Sequence, residues 1–191
     1  MQTANMTNNI KKLSLITLVV AASSTAMASD GGFFSNVFGG NGYQPTGQGQ
    51  EIYQEECSAC HLAYPAPLQT KDKWLKIMSS LDDHFGDNAE LAAETQKTIT
   101  DYLIANAADT NGESSKLSKF ARRSRDNGSL RITDLEGFKR KHDEIDKMRM
   151  VVNNPDVGSF SQCSACHGDN AQKGIFDEDT VKIPNFARWD D

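Results

Sequence analysis

The chain is short of the side chains that do metal and thiol chemistry: its 191 residues include four cysteines and four histidines. It also lacks a membrane span. The longest apolar run, Leu13 to Ala22, is ten residues, against the roughly 20 that a spanning helix needs. No stable membrane insertion is therefore expected of the mature protein. Positive charge is the minority sign, with 20 Lys/Arg against 26 Asp/Glu and a net charge of −6. No nucleic-acid partner is expected of such a chain.

What the chain does have is a repeat. Cys57-Ser58-Ala59-Cys60-His61 recurs as Cys163-Ser164-Ala165-Cys166-His167 and uses every cysteine present. C-x-x-C-H is the attachment signature of c-type haem. On a helical turn, positions i, i+3 and i+4 share a face, so two thiols reach the porphyrin's vinyl groups while the histidine presents a nitrogen to the iron. A four-cysteine zinc site, two short disulfides or a thioredoxin-like pair could each use C-x-x-C. None of these explains a histidine after the second cysteine in both copies. Two covalently attached haem c groups are expected, held by Cys57, Cys60, Cys163 and Cys166, with His61 and His167 on the irons.

Two histidines remain, His84 and His142, for two irons. A low-spin c haem takes a second strong ligand, and both are candidates for it. Proximity along the chain pairs His61 with His84 and His142 with His167. Crossed pairing would weld the two halves together.

Lys11-Lys12, the apolar run and Ala26-Met27-Ala28 have the three regions of a secretory signal, with cleavage expected after Ala28. Haem attachment to cysteine takes place outside the cytoplasm, so a periplasmic location fits both features. Loss of residues 1–28 leaves 18 Lys/Arg against 26 Asp/Glu, a net −8. From Lys116 to Met150 there are eleven Lys/Arg and six Asp/Glu, a local +5, which leaves −13 elsewhere in the mature chain. This asymmetry suits an oriented encounter with a charged partner, and equally a solvated helical face.

Residues 29–47 read as a Gly/Asn-rich flexible leader. A first haem domain is expected over 48–110. Within it, Ile52, Tyr53 and Cys57 recur at helical spacing, Lys71 to Phe85 reads as one amphipathic helix carrying His84 on its flank, and Asp87 or Asn88 caps a further helix through Leu103. The extended stretch after His61, with Pro65 and Pro67, can lend a backbone carbonyl to that imidazole. Turn signals mark 111–130 as a linker, or alternatively a helix with a basic face around Leu117 and Phe120. A second haem domain follows over 131–191. Thr133 and Glu136 form a capping box for a helix carrying Phe138, His142, Ile145 and Met148. The tail, including Ile183-Pro184 and Trp189, is expected to wrap the second haem.

With its two C-S-A-C-H motifs, Trp74, Met78, His84-Phe85-Gly86, Tyr102-Leu103, Arg131-Ile132-Thr133, Phe138, His142, Gly174, Phe176, Val181 and Ile183-Pro184, the chain resembles the soluble periplasmic dihaem cytochrome c family. The resemblance implies an all-α fold of two small cytochrome c-type haem domains in tandem, with loop-rich connections. It implies bis-histidine iron with His84 and His142 axial, and an electron carrier rather than an enzyme. It also implies redox partner proteins: a membrane cytochrome or quinol-linked donor, and a high-spin, oxygen-binding monohaem cytochrome as acceptor. The first half is similar to class I cytochrome c domains as well, whose sixth ligand is usually methionine, and Met78, Met148 and Met150 lie near the two histidines. The competing readings are a dihaem peroxidase or small-molecule reductase, or a gas sensor with one labile histidine; each needs an open coordination position.

Overall fold

The computed structural model describes residues 43, 45, 47–110, 115–124 and 127–187. The expected signal segment, most of the expected leader and Trp189 lie outside them. The described residues are all-α: six helices joined by turns, with no strand beyond an isolated bridge between His84 and Asp87.

Helix α1, Gln50–Cys57, starts at Gly49, whose φ of +98° suits glycine. A Cβ there would come within 3.0 Å of the Thr98 carbonyl and 3.1 Å of the Tyr102 Cβ, so the absent side chain also lets α1 pack against α3. Helix α2, Lys71–Met78, buries Trp74, Ile77 and Met78. Thr70 makes no side-chain cap; the Lys71 N–H donates instead to Asp109 Oδ1 at 2.8 Å, satisfying one of the four orphan donors of a helix start. Helix α3, Ala93–Ala105, buries Ile99, Tyr102 and Leu103. Its start has no side-chain cap, because Asn88 turns its side chain to the Glu90 N–H.

The expected helix from Lys71 to Phe85 ends at Met78. The Ser79 and Ser80 hydroxyls both donate to the Lys76 carbonyl, the back-bonding by which serine competes with the helix. One 3-10 turn, Leu81–Asp83, and a tight reversal at His84 follow. Within the expected linker, residues 116–123 form α4, Lys116–Arg123. Ser115 caps it by accepting from the Ser118 N–H at 3.1 Å, and Leu117, Ser118 and Ala121 are buried. Its basic last turn opposes the helix dipole.

The helix expected from Thr133 through Met148 is broken into three. Ile132–Asp134 is a 3-10 turn, α5 is only Glu136–Lys141, and Lys147–Val152 is a π-helical turn. Asp146 breaks the run by accepting from the Met148 and Arg149 N–H groups, which starts a new turn. His142 thus ends α5 rather than sitting mid-helix. Gly137 lets α5 meet α4 closely: a Cβ there would lie 2.3 Å from Ser124 Oγ and 2.7 Å from the Phe120 ring. Helix α6, Cys163–His167, is the second motif itself.

Two apolar clusters result. The larger gathers Tyr43, Tyr53, Trp74, Ile77, Met78, Leu81, Ile99, Tyr102, Leu103 and Leu117, with Phe120 and Ile132 against it. Helix α4 therefore joins the first core. The smaller has four buried side chains, Met150, Val151, Val157 and Ile183.

Candidate metal centres

The first motif begins on the last turn of α1, where Cys57 closes the helix, and continues as a turn through His61. The second is helical throughout. All four thiols are free, and no three metal-ligating side chains cluster among the described residues. That arrangement fits neither the disulfide nor the zinc reading.

The four imidazoles come together in two pairs. His61 and His84 face each other with ring centres 6.1 Å apart and planes 18° from parallel. His142 and His167 stand 6.2 Å apart with planes at 77°. One metal between two imidazoles, about 2.0 Å from each nitrogen and about 1.1 Å further to each ring centre, sets the centres about 6.2 Å apart. Both pairs fit one iron and are too far apart for a direct hydrogen bond. The structure thus brings His84 to His61 and His142 to His167, as neighbours along the chain.

In each pair one tautomer is fixed by a backbone carbonyl. His61 Nδ1 lies 2.6 Å from the Leu62 carbonyl, and His142 Nδ1 lies 2.9 Å from the Phe138 carbonyl. A carbonyl only accepts, so each Nδ1 carries the proton and each neutral ring keeps its lone pair on Nε2. The first stretch after His61 thus does supply a carbonyl. Ile183-Pro184 does not do so for His167: the Pro184 carbonyl accepts from Asn154 Nδ2 at 2.7 Å, and His167 Nδ1 is buried without a partner. Lys182 N–H donates to the Cys166 carbonyl at 2.9 Å, so the tail still lies along the motif.

His84 is held by a strained turn. Its N–H donates to the Asp87 carbonyl at 2.7 Å, Gly86 N–H donates to Asp83 Oδ1, and Phe85 sits at φ +60°. A left-handed aromatic residue costs about 1–3 kcal/mol and persists only where its surroundings hold it. Here the Arg131 guanidinium lies 4.3 Å over the Phe85 ring, whose edge meets His84. His142 is gripped between Phe138, stacked at 3.9 Å, and the Phe160 edge at 5.6 Å. Burial, then His61 and Arg131, lower the pKa of His84; burial lowers His142; burial and His142 take His167 down to about 4. A lowered pKa favours the neutral ring, the form that can bind a metal.

A cavity of about 750 Å³ opens beside the second pair, lined by Cys163, Cys166, His142, His167, Phe176 and Ile183, among others. That volume is within the usual range for a cofactor site, about 300–1,000 Å³. Of the three methionines near the histidines, Met78 is buried in the first core, Met148 is exposed, and Met150 lines this cavity. The residues present fit two haem groups. Of the gripping side chains, Arg131 and Phe138 stood in the sequence only among the residues that carry the resemblance, and Phe160 carried no signal, because Arg131 and Phe160 act through the fold on residues distant in sequence.

Comparison with known proteins agrees with this geometry. The model of a family described as dihaem cytochrome c matches residues 53–176. The diheme cytochrome type c of Shewanella baltica is 47% identical, over 74% of this chain and 98% of its own, with a TM-score of 0.59. A diheme cytochrome c of Rhodobacter sphaeroides is 38% identical, over 66% of this chain and 95% of its own, with a TM-score of 0.56. No curated protein matches. A chain that places both C-S-A-C-H motifs beside facing imidazoles and is 47% identical over 74% of its length to such a protein belongs to the dihaem cytochrome c family, with two covalently bound haem c groups.

Proposed function

We propose that the protein is a periplasmic electron carrier in which Cys57 and Cys60 attach one haem, Cys163 and Cys166 the other, and the pairs His61 with His84 and His142 with His167 ligate the irons. When bound, each haem supplies a one-electron Fe(III)/Fe(II) couple. The chain supplies the rest. The observation that carries the reading is the spacing of the two imidazole pairs, 6.1 and 6.2 Å, which supports a use for every histidine as an iron ligand, with no coordination position kept for a substrate. Carbonyls of Leu62 and Phe138 hold one ring of each pair in the metal-binding tautomer, so the ligand set need not rearrange on electron gain. Two imidazoles per iron favour low-spin iron and a lower potential than histidine with methionine, whose thioether favours the reduced metal.

Donor and acceptor follow from the resemblance: electrons arrive from a membrane cytochrome or quinol-linked donor and leave to a high-spin monohaem cytochrome. The local excess of Lys and Arg on α4 and α5 against an acidic remainder suits two partners of unlike charge. The test is spectroscopic. Six-coordinate low-spin haem that does not take up CO, with no near-infrared sulfur-to-iron band, supports the carrier. A high-spin fraction that binds CO in the native protein overturns it in favour of an enzyme or sensor.

A further inference from the structure

Tyr64 touches both centres. Its ring stacks on His61 at 4.9 Å and 24° from parallel. Its hydroxyl donates to the Ser161 carbonyl at 3.0 Å, two residues before Cys163, and its side chain lines the cavity beside Cys163, Cys166 and His167. Its backbone is itself fixed, since the Tyr53 hydroxyl on α1 donates to the Tyr64 carbonyl at 2.8 Å. One half-buried side chain therefore spans a sequence separation of 97 residues between a ligand of the first centre and the loop that presents the second motif.

We propose that Tyr64 is a positioning residue that couples the two centres, its ring setting the plane of His61 and its hydroxyl pinning the loop before Cys163. The two roles rest on different atoms. The stacking contact needs only the ring: a flat aromatic against one face of His61 limits rotation of that imidazole about its bond to the metal, while the Leu62 carbonyl fixes its tautomer. The pin needs the oxygen: apart from the Phe160 ring against Phe138 and His142, the loop Ser159 to Gln162 has short-range hydrogen bonds, Ser159 Oγ with Ser161 Oγ and Gln162 N–H with the Ser159 carbonyl. A change of geometry at one centre reaches the other through this side chain. No electron or proton leaves Tyr64 in this role: the hydroxyl proton stays on the Tyr64 oxygen and is donated in a hydrogen bond to the Ser161 carbonyl.

The inference rests on the two-haem reading, which iron and haem content of the purified protein decides first; two per chain are required before the variants are compared. Tyr64→Phe keeps the ring and removes the hydroxyl. Amide exchange across 159–162 is expected to rise about fivefold, the factor that a typical net hydrogen bond converts to. The haem methyl NMR shifts of the second centre move while those of the first stay in place. Tyr64→Leu removes both functions, so the methyl shifts and low-spin EPR line of the first centre change as well. The proposal is overturned if the Phe variant leaves loop exchange unchanged, if it moves the first centre, or if a folded Leu variant leaves the first centre unmoved. Should Tyr64→Leu fail to fold, the Phe variant alone decides.

Discussion

His142→Ala and His84→Ala form a matched pair, because each removes one ring from one facing pair and leaves the other pair whole. In His142→Ala the second iron loses an axial nitrogen, so one of two haems, half of the total, becomes high-spin and takes up CO. The polypeptide loses the hydrogen bond to the Phe138 carbonyl, about 1 kcal/mol, and the ring contacts with Phe138 and Phe160, about 0.5–1.5 kcal/mol per pair. Together these come to about 2–4 kcal/mol. His84 has its edge contact with Phe85 and no side-chain hydrogen bond to a carbonyl, so His84→Ala opens the first iron at a smaller cost in polypeptide stability, about 1 kcal/mol. CO titration followed at the Soret band gives the fraction opened, NMR assigns the haem, and urea unfolding gives the stability difference. If His84→Ala changes the haem carried on Cys163 and Cys166, the pairing is crossed. If either variant stays fully six-coordinate, the histidine concerned is not a ligand.

Gly137→Ala forces a Cβ into Ser124 Oγ and the Phe120 ring; overpacking of this kind costs about 1–3 kcal/mol, which urea unfolding of the haem-loaded protein reads as a lower midpoint, with partial relief in Ser124→Ala/Gly137→Ala. Frozen oxidised protein is expected to give two unlike low-spin EPR spectra, a resolved rhombic one from the near-parallel rings at 18° and a single low-field feature from the rings at 77°; two identical rhombic spectra would contradict the geometry.

The parts of the fold legible in the sequence are those where local signals decide. The C-S-A-C-H spacing and the apolar faces of α2 and α3 are set by residues within a few positions of one another, and the structure follows them. The failures lie where a polar side chain redirects the backbone. Periodicity from Lys71 to Phe85 and from Leu135 to Met148 extends through Ser79, Ser80 and Asp146, whose oxygens bond the backbone and end the helices. As a result His84 and His142 occupy a turn and a helix end, positions from which an imidazole can be aimed, where the periodic reading set them on helix faces. Segment 116–123 was ambiguous for the opposite reason: its helix is amphipathic, but the core that its apolar face joins comes from residues 43 to 108 and carries no mark in its own sequence.

The two halves differ in how much core they build. Residues 43–132 enclose a cluster with Trp74, Ile99, Tyr102 and Leu103 at its centre, enough apolar contact to hold α1, α2 and α3 against one another. Residues 145–186 form a cluster of four buried apolar side chains beside a cavity of about 750 Å³ whose wall is largely apolar: Phe160, Phe176, Val181, Ile183. A wall of that kind, left against water, forfeits roughly 25 cal/mol for every Å² that a partner surface would cover, and a domain with so few buried residues is marginal by itself. The haem macrocycle attached at Cys163 and Cys166, with the proposed ligation by His142 and His167, would be the partner surface that completes it. Among the described residues the tail after His167 forms only short 3-10 turns, and this has a physical cause: a chain that wraps a disc has no reason to repeat at 3.6 residues.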